Sequence, residues 1–204
     1  MFETLNDGWD SWLTREDVDW AYVRINRTGN TWLNEYLTAN GFIQQDPRSL
    51  REMHKLVIVR EPLERFVSGV SMFKGLSHRL IGQPKTILAR DSSDPHIKTQ
   101  SEFLRNVDLG NCTFIKYGPN IVSDLQSFIE ERKLTLFFPP PTEWRDNPVL
   151  ADYHKMSETE QEYFAERKLL YDAYKNDPFL QKVVDQHLKN DYNLYNSMEW
   201  YGTN

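Results

Sequence analysis

Lys55-Leu56-Val57-Ile58-Val59 runs directly into Arg60-Glu61-Pro62-Leu63-Glu64-Arg65-Phe66-Val67-Ser68, and this stretch decides the fold class. An unbroken aliphatic run is typical of a parallel strand that is buried on both faces. Pro62 suits the first turn of a helix, where its missing N–H costs no hydrogen bond. The stretch therefore predicts a strand over Lys55–Val59, a turn with arginine, and a helix from Pro62 to about Lys74.

A second strand, turn and helix are predicted upstream. Trp20–Ile25 has the pattern of a strand, and a helix follows from about Asn30 to Ala39, where Asn40-Gly41 supplies its end. Further strands are predicted at Phe42–Gln45, Thr113–Lys116 and Leu134–Phe138. Further helices are predicted at Ser101–Asn106, at Ile121–Arg132 and at Pro178–Leu188. One more helix is predicted from the Ser157 capping box to about Tyr174. We expect an irregular loop over residues 75–95 and an arm or helix over residues 1–19. Strands that alternate with helices predict an α/β sandwich around a parallel sheet, as one domain over residues 1–204.

Composition excludes several classes of protein. The chain has 204 residues and a formal net charge of −6, whereas a general nucleic-acid binder usually carries a basic excess. Cys112 is the one cysteine, so no intramolecular disulfide or CxxC metal motif can form. No apolar stretch approaches the length of a membrane span, and the first residues lack the pattern of a signal peptide. We expect a cytoplasmic protein with no nucleic-acid, membrane or metal partner.

Both predicted turns suit an anion. A helix N-terminus offers N–H groups without intrahelical partners and the positive end of the helix dipole. In the first turn Arg27 adds a fixed cation, Gly29 lets the backbone approach an anion, and Thr28 and Thr31 add donors. Read alone, this turn is equally consistent with a strand-to-helix turn that Thr and Asn merely cap. The second turn favours function, because Arg60 follows a buried strand at the sheet edge where α/β proteins bind ligands.

Together these segments resemble the sulfotransferases. The residues 26–33, Asn-Arg-Thr-Gly-Asn-Thr-Trp-Leu, look like the family's 5′-phosphosulfate loop, usually Pro-Lys-x-Gly-x-Thr-x-Leu. The stretch from Val57 to Ser68 looks like the 3′-phosphate motif of the carbohydrate sulfotransferases, Val-Arg-Asp/Glu-Pro-x-x-Arg-Leu/Phe-x-Ser. Asp94–Gln100 is similar to their Asp-Pro-His-x-x-x-Gln stretch, and Lys189–Tyr195 resembles their closing Asp-Tyr-x-Leu-Phe/Tyr.

The resemblance implies a P-loop-like three-layer sandwich, with a central parallel sheet flanked by helices. It also implies transfer of a sulfuryl group from 3′-phosphoadenosine 5′-phosphosulfate (PAPS) to a hydroxyl or amine of a carbohydrate or small metabolite, with release of adenosine 3′,5′-bisphosphate (PAP). No metal is required. The implied donor contacts are Arg27, Thr28, Gly29, Asn30, Thr31 and Trp32 at the 5′-phosphosulfate, and Arg60 and Ser68 at the 3′-phosphate.

Two catalytic roles follow. Arg27 stands where the family usually has lysine; arginine keeps the charge that stabilises the leaving phosphate but does not donate its proton. In-line attack also needs a base near neutral pH, which predicts a histidine. His96, just beyond the expected loop and within a stretch that resembles the family, is our expected base, with His78 or a nearby carboxylate in reserve. The alternatives are a P-loop-type small-molecule kinase and a nucleotide-binding module without catalysis.

Overall fold

Two compact units are distinguished by the contacts along the chain. The computed structural model describes residues 12–28, 30–134, 136 and 158–202, and for residues 30–32 it describes the backbone alone. The first unit comprises the described residues within Met1–Arg60, Phe103–Trp144 and Met198–Asn204, and the second those within Glu61–Glu102 and Arg145–Ser197. The expected single domain stays a prediction.

The first unit is built on a five-stranded mixed sheet. Its strands are β1 (Trp12–Thr14), β2 (Trp20–Val23), β3 (Ile43–Gln45), β4 (His54–Val59) and β5 (Cys112–Lys116), in the order β3-β1-β2-β4-β5. Strands β2, β4 and β5 are parallel, whereas β1 pairs antiparallel with both β2 and β3. The prediction of a purely parallel sheet was therefore wrong at this edge.

The short connection between β1 and β2 explains the mixed sheet. Residues 15–19 are too few for the crossover that parallel neighbours require, so β1 and β2 can pair only antiparallel. Trp12, Leu13 and Thr14 are all buried. The expected N-terminal arm or helix thus contains a strand at its end, while residues 1–11 lie outside the described residues.

One face of this sheet carries the hydrophobic core of the first unit. Helices α1 (Asn30–Ala39) and α6 (Ile121–Glu131) pack on it. Alternate residues of the parallel strands supply the sheet side of this core, and a 3.6-residue stripe supplies the helix side: Tyr22, Leu56, Ile58, Ile115, Leu33, Leu37, Leu125 and Phe128. The predicted bounds of α1 are confirmed, and β4 begins one residue before its predicted start.

The second unit is helical around its own core. Its helices are α2 (Pro62–Val70), α3 (Leu76–Gly82), α4 (Pro84–Asp91), α7 (Glu158–Asn176) and α8 (Pro178–Ser197), and the short α5 (Gln100–Phe103) lies where the chain returns to the first unit. The buried residues of this core include Phe66, Val70, Leu80, Ile87, Leu170, Val184 and Leu188.

The expected irregular loop over residues 75–95 was wrong in its greater part. Gly82 and Pro84 there mark a junction between two short helices, since Gly82 is the last residue of α3 and Pro84 the first of α4.

Helix α2 stops at Val70, short of its predicted end, and α8 continues past Leu188 to Ser197. Leu134 and Leu136 are not in a strand; the rest of that predicted strand, like Ser157 of the capping box, lies outside the described residues. In the described part of the chain, no helix is long and apolar enough to cross a membrane.

Candidate functional site: two arginine turns and a histidine loop

In the first unit the two predicted anion-binding turns meet. Strands β2 and β4 are parallel neighbours, with Val23 opposite Val57, so their carboxyl ends share one edge of the sheet. The Arg60 guanidinium, directly after β4, donates a long hydrogen bond (3.5 Å) from Nη1 to the backbone oxygen of Arg27 in the turn after β2. Two arginines predicted separately from the sequence are therefore neighbours.

Arg27 has a strained backbone. Its φ is +68°, in the left-handed region that residues with a Cβ rarely adopt and that costs about 1–2 kcal/mol. Strain of this kind persists only where the surroundings fix it, and it concentrates at functional sites. Thr28 helps to fix the backbone of this turn, because its buried hydroxyl donates to the Ile25 carbonyl at 2.7 Å. The hydroxyl expected to face a phosphate is thus already used to hold the turn.

A buried tyrosine on β2 contacts Thr28 of this turn. The pKa of Tyr22, on β2, is raised far above its ordinary value by desolvation, which outweighs the opposing effects of Arg24 and Thr28. Tyr22 is a neutral phenol at physiological pH, as a tyrosine with an ordinary pKa also is. Helix α1 begins at Asn30, directly beyond the turn, so its first N–H groups follow Arg27 and Thr28 along the chain. Gly29, with the side chains of Asn30, Thr31 and Trp32, lies outside the described part of the structure.

The Arg60 side chain is held in place by an aromatic ring. Only 8% of Arg60 is exposed, and its guanidinium carbon lies 4.9 Å from the centre of the Tyr117 ring. Tyr117 is itself fixed beside β4 because its N–H donates to the Val59 carbonyl at 2.8 Å. A cation–π contact of this kind is worth about 0.5–2 kcal/mol and pre-orients the guanidinium. Nothing in the sequence indicated this role for Tyr117, because only the strand order places β5 beside β4.

Ser68 of the second unit is buried and has a partner that the sequence did not suggest. It lies on α2, which begins with Glu61 as its N-cap: the Glu61 carboxylate accepts from Glu64 N–H at 2.7 Å. The Ser68 hydroxyl is 2.9 Å from the hydroxyl of Tyr163 on α7, and either oxygen can be the donor. Arg167, also on α7, has a side chain that is 13% exposed. It pairs with Glu64 and so joins α7 to α2 a second time.

His96 lies in the second unit beside a carboxylate. Asp94 Oδ1 accepts both from the His96 backbone N–H at 2.8 Å and from its Nδ1 at 3.0 Å. The Phe73 ring meets the imidazole edge-on, with 5.3 Å between ring centres. The reserve base, His78, is an exposed residue of α3.

Two of the weaker resemblance stretches are joined in the structure. Asp191, from the closing stretch, is 1% exposed, and its carboxylate accepts from Gln100 N–H at 2.8 Å and Ser101 N–H at 2.7 Å. Asp191 thereby caps the start of α5, directly after the stretch that holds His96. These contacts link stretches about 90 residues apart along the chain.

The predicted site residues are thus divided between the units. Arg27, Thr28 and Arg60 belong to the first, whereas Ser68 and His96 belong to the second. Among the described residues no group of three or more His, Cys, Asp or Glu side chains could hold a metal ion. Comparison of the chain with family models, with curated proteins and with solved structures gives no match.

Proposed function

We propose that this protein is a sulfotransferase that moves the sulfuryl group of PAPS to a hydroxyl or amine of an acceptor. The observation that carries the proposal is the contact between Arg60 and the Arg27 turn at one sheet edge. Each arginine stands in a stretch that resembles a phosphate motif of that family. A cytoplasmic location, a P-loop-like three-layer arrangement, and a carbohydrate or small metabolite as acceptor belong to the same proposal.

The donor has phosphate at both ends of its ribose, which suits two cationic turns. Arg27 and the first N–H groups of α1 would bind the 5′-phosphosulfate. Arg60 would bind the 3′-phosphate, because a guanidinium offers a rigid pair of donors to phosphate oxygens. The resemblance adds Ser68, further along the same stretch, to the 3′-phosphate ligands.

The chemistry needs charge stabilisation and one proton acceptor. The acceptor oxygen or nitrogen attacks sulfur while the bond from sulfur to the bridging oxygen breaks, and PAP leaves with that electron pair. Arg27 stabilises the negative charge on the departing phosphate, a contribution that operates without a proton transfer. His96 takes the proton that the acceptor loses.

Calorimetric titration with PAP tests donor recognition in the absence of magnesium. We expect PAP to bind and ATP to bind far more weakly. Arg60→Ala should weaken PAP binding at least about tenfold, since hydrogen bonds to charged groups are worth about 1.5–3 kcal/mol. Arg132→Ala is the matched control: Arg132 also lies over a ring, with its guanidinium carbon 5.4 Å from the centre of Phe128, but it pairs with Asp19 at the end of β2 opposite the Arg27 turn.

A second pair of variants separates Ser68 as a ligand from Ser68 as a packing residue. Ser68→Ala and Tyr163→Phe both remove the hydrogen bond between these hydroxyls. Only Ser68→Ala also removes the proposed phosphate ligand. Weaker PAP binding in Ser68→Ala alone supports the assignment, and equal effects in both variants contradict it.

Turnover with labelled PAPS against a panel of sugars, phenols and amines tests the reaction. Sulfated product without magnesium supports the proposal. ATP-dependent phosphorylation without PAP binding would instead favour a small-molecule kinase. PAP binding without transfer to any acceptor would favour a nucleotide-binding module without catalysis.

A further inference from the structure

We propose that Asp94 is the positioning residue that fixes His96 for proton abstraction at Nε2. The inference rests on the proposed function, because it concerns the base of that reaction. It is drawn from the second unit alone, in which Asp94, His96 and the residues that hold them all lie.

The contact with one Asp94 oxygen determines which nitrogen of the His96 imidazole carries the proton. Asp94 Oδ1 is 3.0 Å from His96 Nδ1, and an ionised carboxylate can only accept hydrogen bonds. Nδ1 must therefore carry the proton, which leaves the lone pair of the neutral ring on Nε2. A base at His96 acts through Nε2 in this arrangement, because Nδ1 is already committed to Asp94.

The same oxygen fixes the carboxylate itself. It accepts from the His96 backbone N–H at 2.8 Å, so the side chain of Asp94 is anchored by the peptide of the residue that it orients. The Asp94 backbone carbonyl further accepts from Ile97 N–H at 2.9 Å and Lys98 N–H at 2.7 Å, which closes the loop into a tight turn. A short carboxylate suits these contacts, and the longer Glu side chain would have to fold back to reproduce them.

Neighbouring elements hold the histidine loop from outside. Ile97 is 1% exposed and belongs to the core of the second unit. Buried Arg65 on α2 donates from Nη2 to the Pro95 carbonyl at 3.3 Å. Gly69, one turn further along α2, lies so near the His96 carbonyl that no Cβ fits between them. The backbone from Pro95 to Ile97 is thus held at three places, and the imidazole can move mainly by rotation about its own side-chain bonds.

The remaining rotation is restricted by Phe73 and Asp94 together. Phe73 meets the ring edge-on, while 23% of the His96 side chain stays exposed. The imidazole is therefore held in a defined orientation although part of the side chain remains exposed to solvent. After abstraction the ring is an imidazolium, and the Asp94 carboxylate stabilises that charge from the Nδ1 side.

Nitrogen-15 spectra of the imidazole rings test the inference without any assay of activity. The neutral His96 ring should give a protonated Nδ1 and an unprotonated Nε2, and a His96→Gln variant identifies its signals. Asp94→Ala should move these signals toward the tautomer protonated at Nε2, which an unconstrained histidine favours. Asp91→Ala is the matched control, since Asp91 is also a carboxylate of this unit but pairs with Arg90. A wild-type ring protonated at Nε2, or an unchanged spectrum in Asp94→Ala, would overturn the inference.

Turnover distinguishes a positioning role from a merely structural one. Asp94→Asn keeps an oxygen for the His96 backbone N–H and loses the charge, so the loop should persist. We expect kcat to fall roughly 10- to 100-fold, which is less than the roughly 10²- to 10⁴-fold that a general base itself contributes, with PAP affinity unchanged. Full turnover in Asp94→Asn alongside an inactive His96→Gln would contradict the role of Asp94. Absence of PAP binding in the wild-type protein would instead overturn the proposed function, and the ring spectra would still report on the Asp94 contact.

Discussion

Gly69→Ala should displace His96 without touching its side chain. A Cβ built on Gly69 in ideal geometry lies 2.8 Å from the carbonyl carbon of His96 and overlaps the oxygen. Real Cβ atoms essentially never approach below 3.0 Å, and 3.4 Å is an ordinary contact. The carbonyl oxygen lies 1.8 Å from that Cβ and must therefore retreat by 1.2 to 1.6 Å, and the carbonyl carbon by 0.2 to 0.6 Å. The Ile97 side chain and the turn at Asp94 resist that movement.

The expected cost is a balance of two effects. Forcing a methyl group into a packed site costs about 1–3 kcal/mol. Alanine in place of glycine inside a helix returns about 0.5–1 kcal/mol. We expect the free energy of unfolding to fall by about 1–2 kcal/mol in urea titrations followed by circular dichroism. A backbone shift of this size beside a catalytic group should also lower kcat by about tenfold to a hundredfold, since displacements near 1 Å cost about a hundredfold.

Gly82→Ala is the matched control, because Gly82 also lies in the last turn of a helix of the second unit and has nothing within 4 Å of an added Cβ. It should be neutral or slightly stabilising, with turnover unchanged. If Gly69→Ala matches Gly82→Ala in stability and in turnover, the close approach of α2 to the His96 loop does not exist in solution, and the reasoning fails.

Three further predictions concern the arginine turn and two histidines. Arg27→Gly should raise the free energy of unfolding by about 1 kcal/mol, because it relieves the left-handed φ, and yet weaken PAP binding; a loss of stability would refute the strain. His96→Ala should lower turnover while PAP affinity stays nearly unchanged, and full activity would send the search for a base to His78 or a carboxylate. Burial lowers the pKa of His187, so the unfolded chain binds a proton below about pH 6.5 that the folded chain excludes, and stability should decline as the pH falls through that range. His187→Gln should flatten this decline in urea titrations at stepped pH, although not abolish it, because burial lowers the pKa of His54 as well; an unchanged slope would contradict the effect.

The elements that could be predicted are those whose signals are local. The aliphatic run at Lys55–Val59 and the helix of Asn30–Ala39 with its Asn40-Gly41 end were confirmed, since hydrophobic pattern and end signals decide them within a few residues. Strand β1 was missed because Trp12-Leu13-Thr14 is too short to show a period, and its pairing with β2 and β3 fixes it instead.

Part of the candidate site could be predicted, because some of its residues stand in stretches with a local signal. Arg27, Arg60 and His96 each stand in a recognisable stretch of sequence. Their partners could not be predicted, because Tyr117 beside Arg60 and Tyr163 beside Ser68 are distant along the chain. No local pattern identifies which aromatic residue a buried arginine or serine will contact.

The sequence by itself determined that two strands would each end in an arginine turn before a helix, since such patterns depend on near neighbours. Only the tertiary structure decided that these turns share one edge, where Arg60 reaches the Arg27 carbonyl, because strand order is a long-range property of the sheet. It likewise decided that Asp191 caps the segment that follows His96, and that α2 presents glycine where the His96 loop passes. Contacts of this kind depend on how separate elements pack, which no single stretch of the chain encodes.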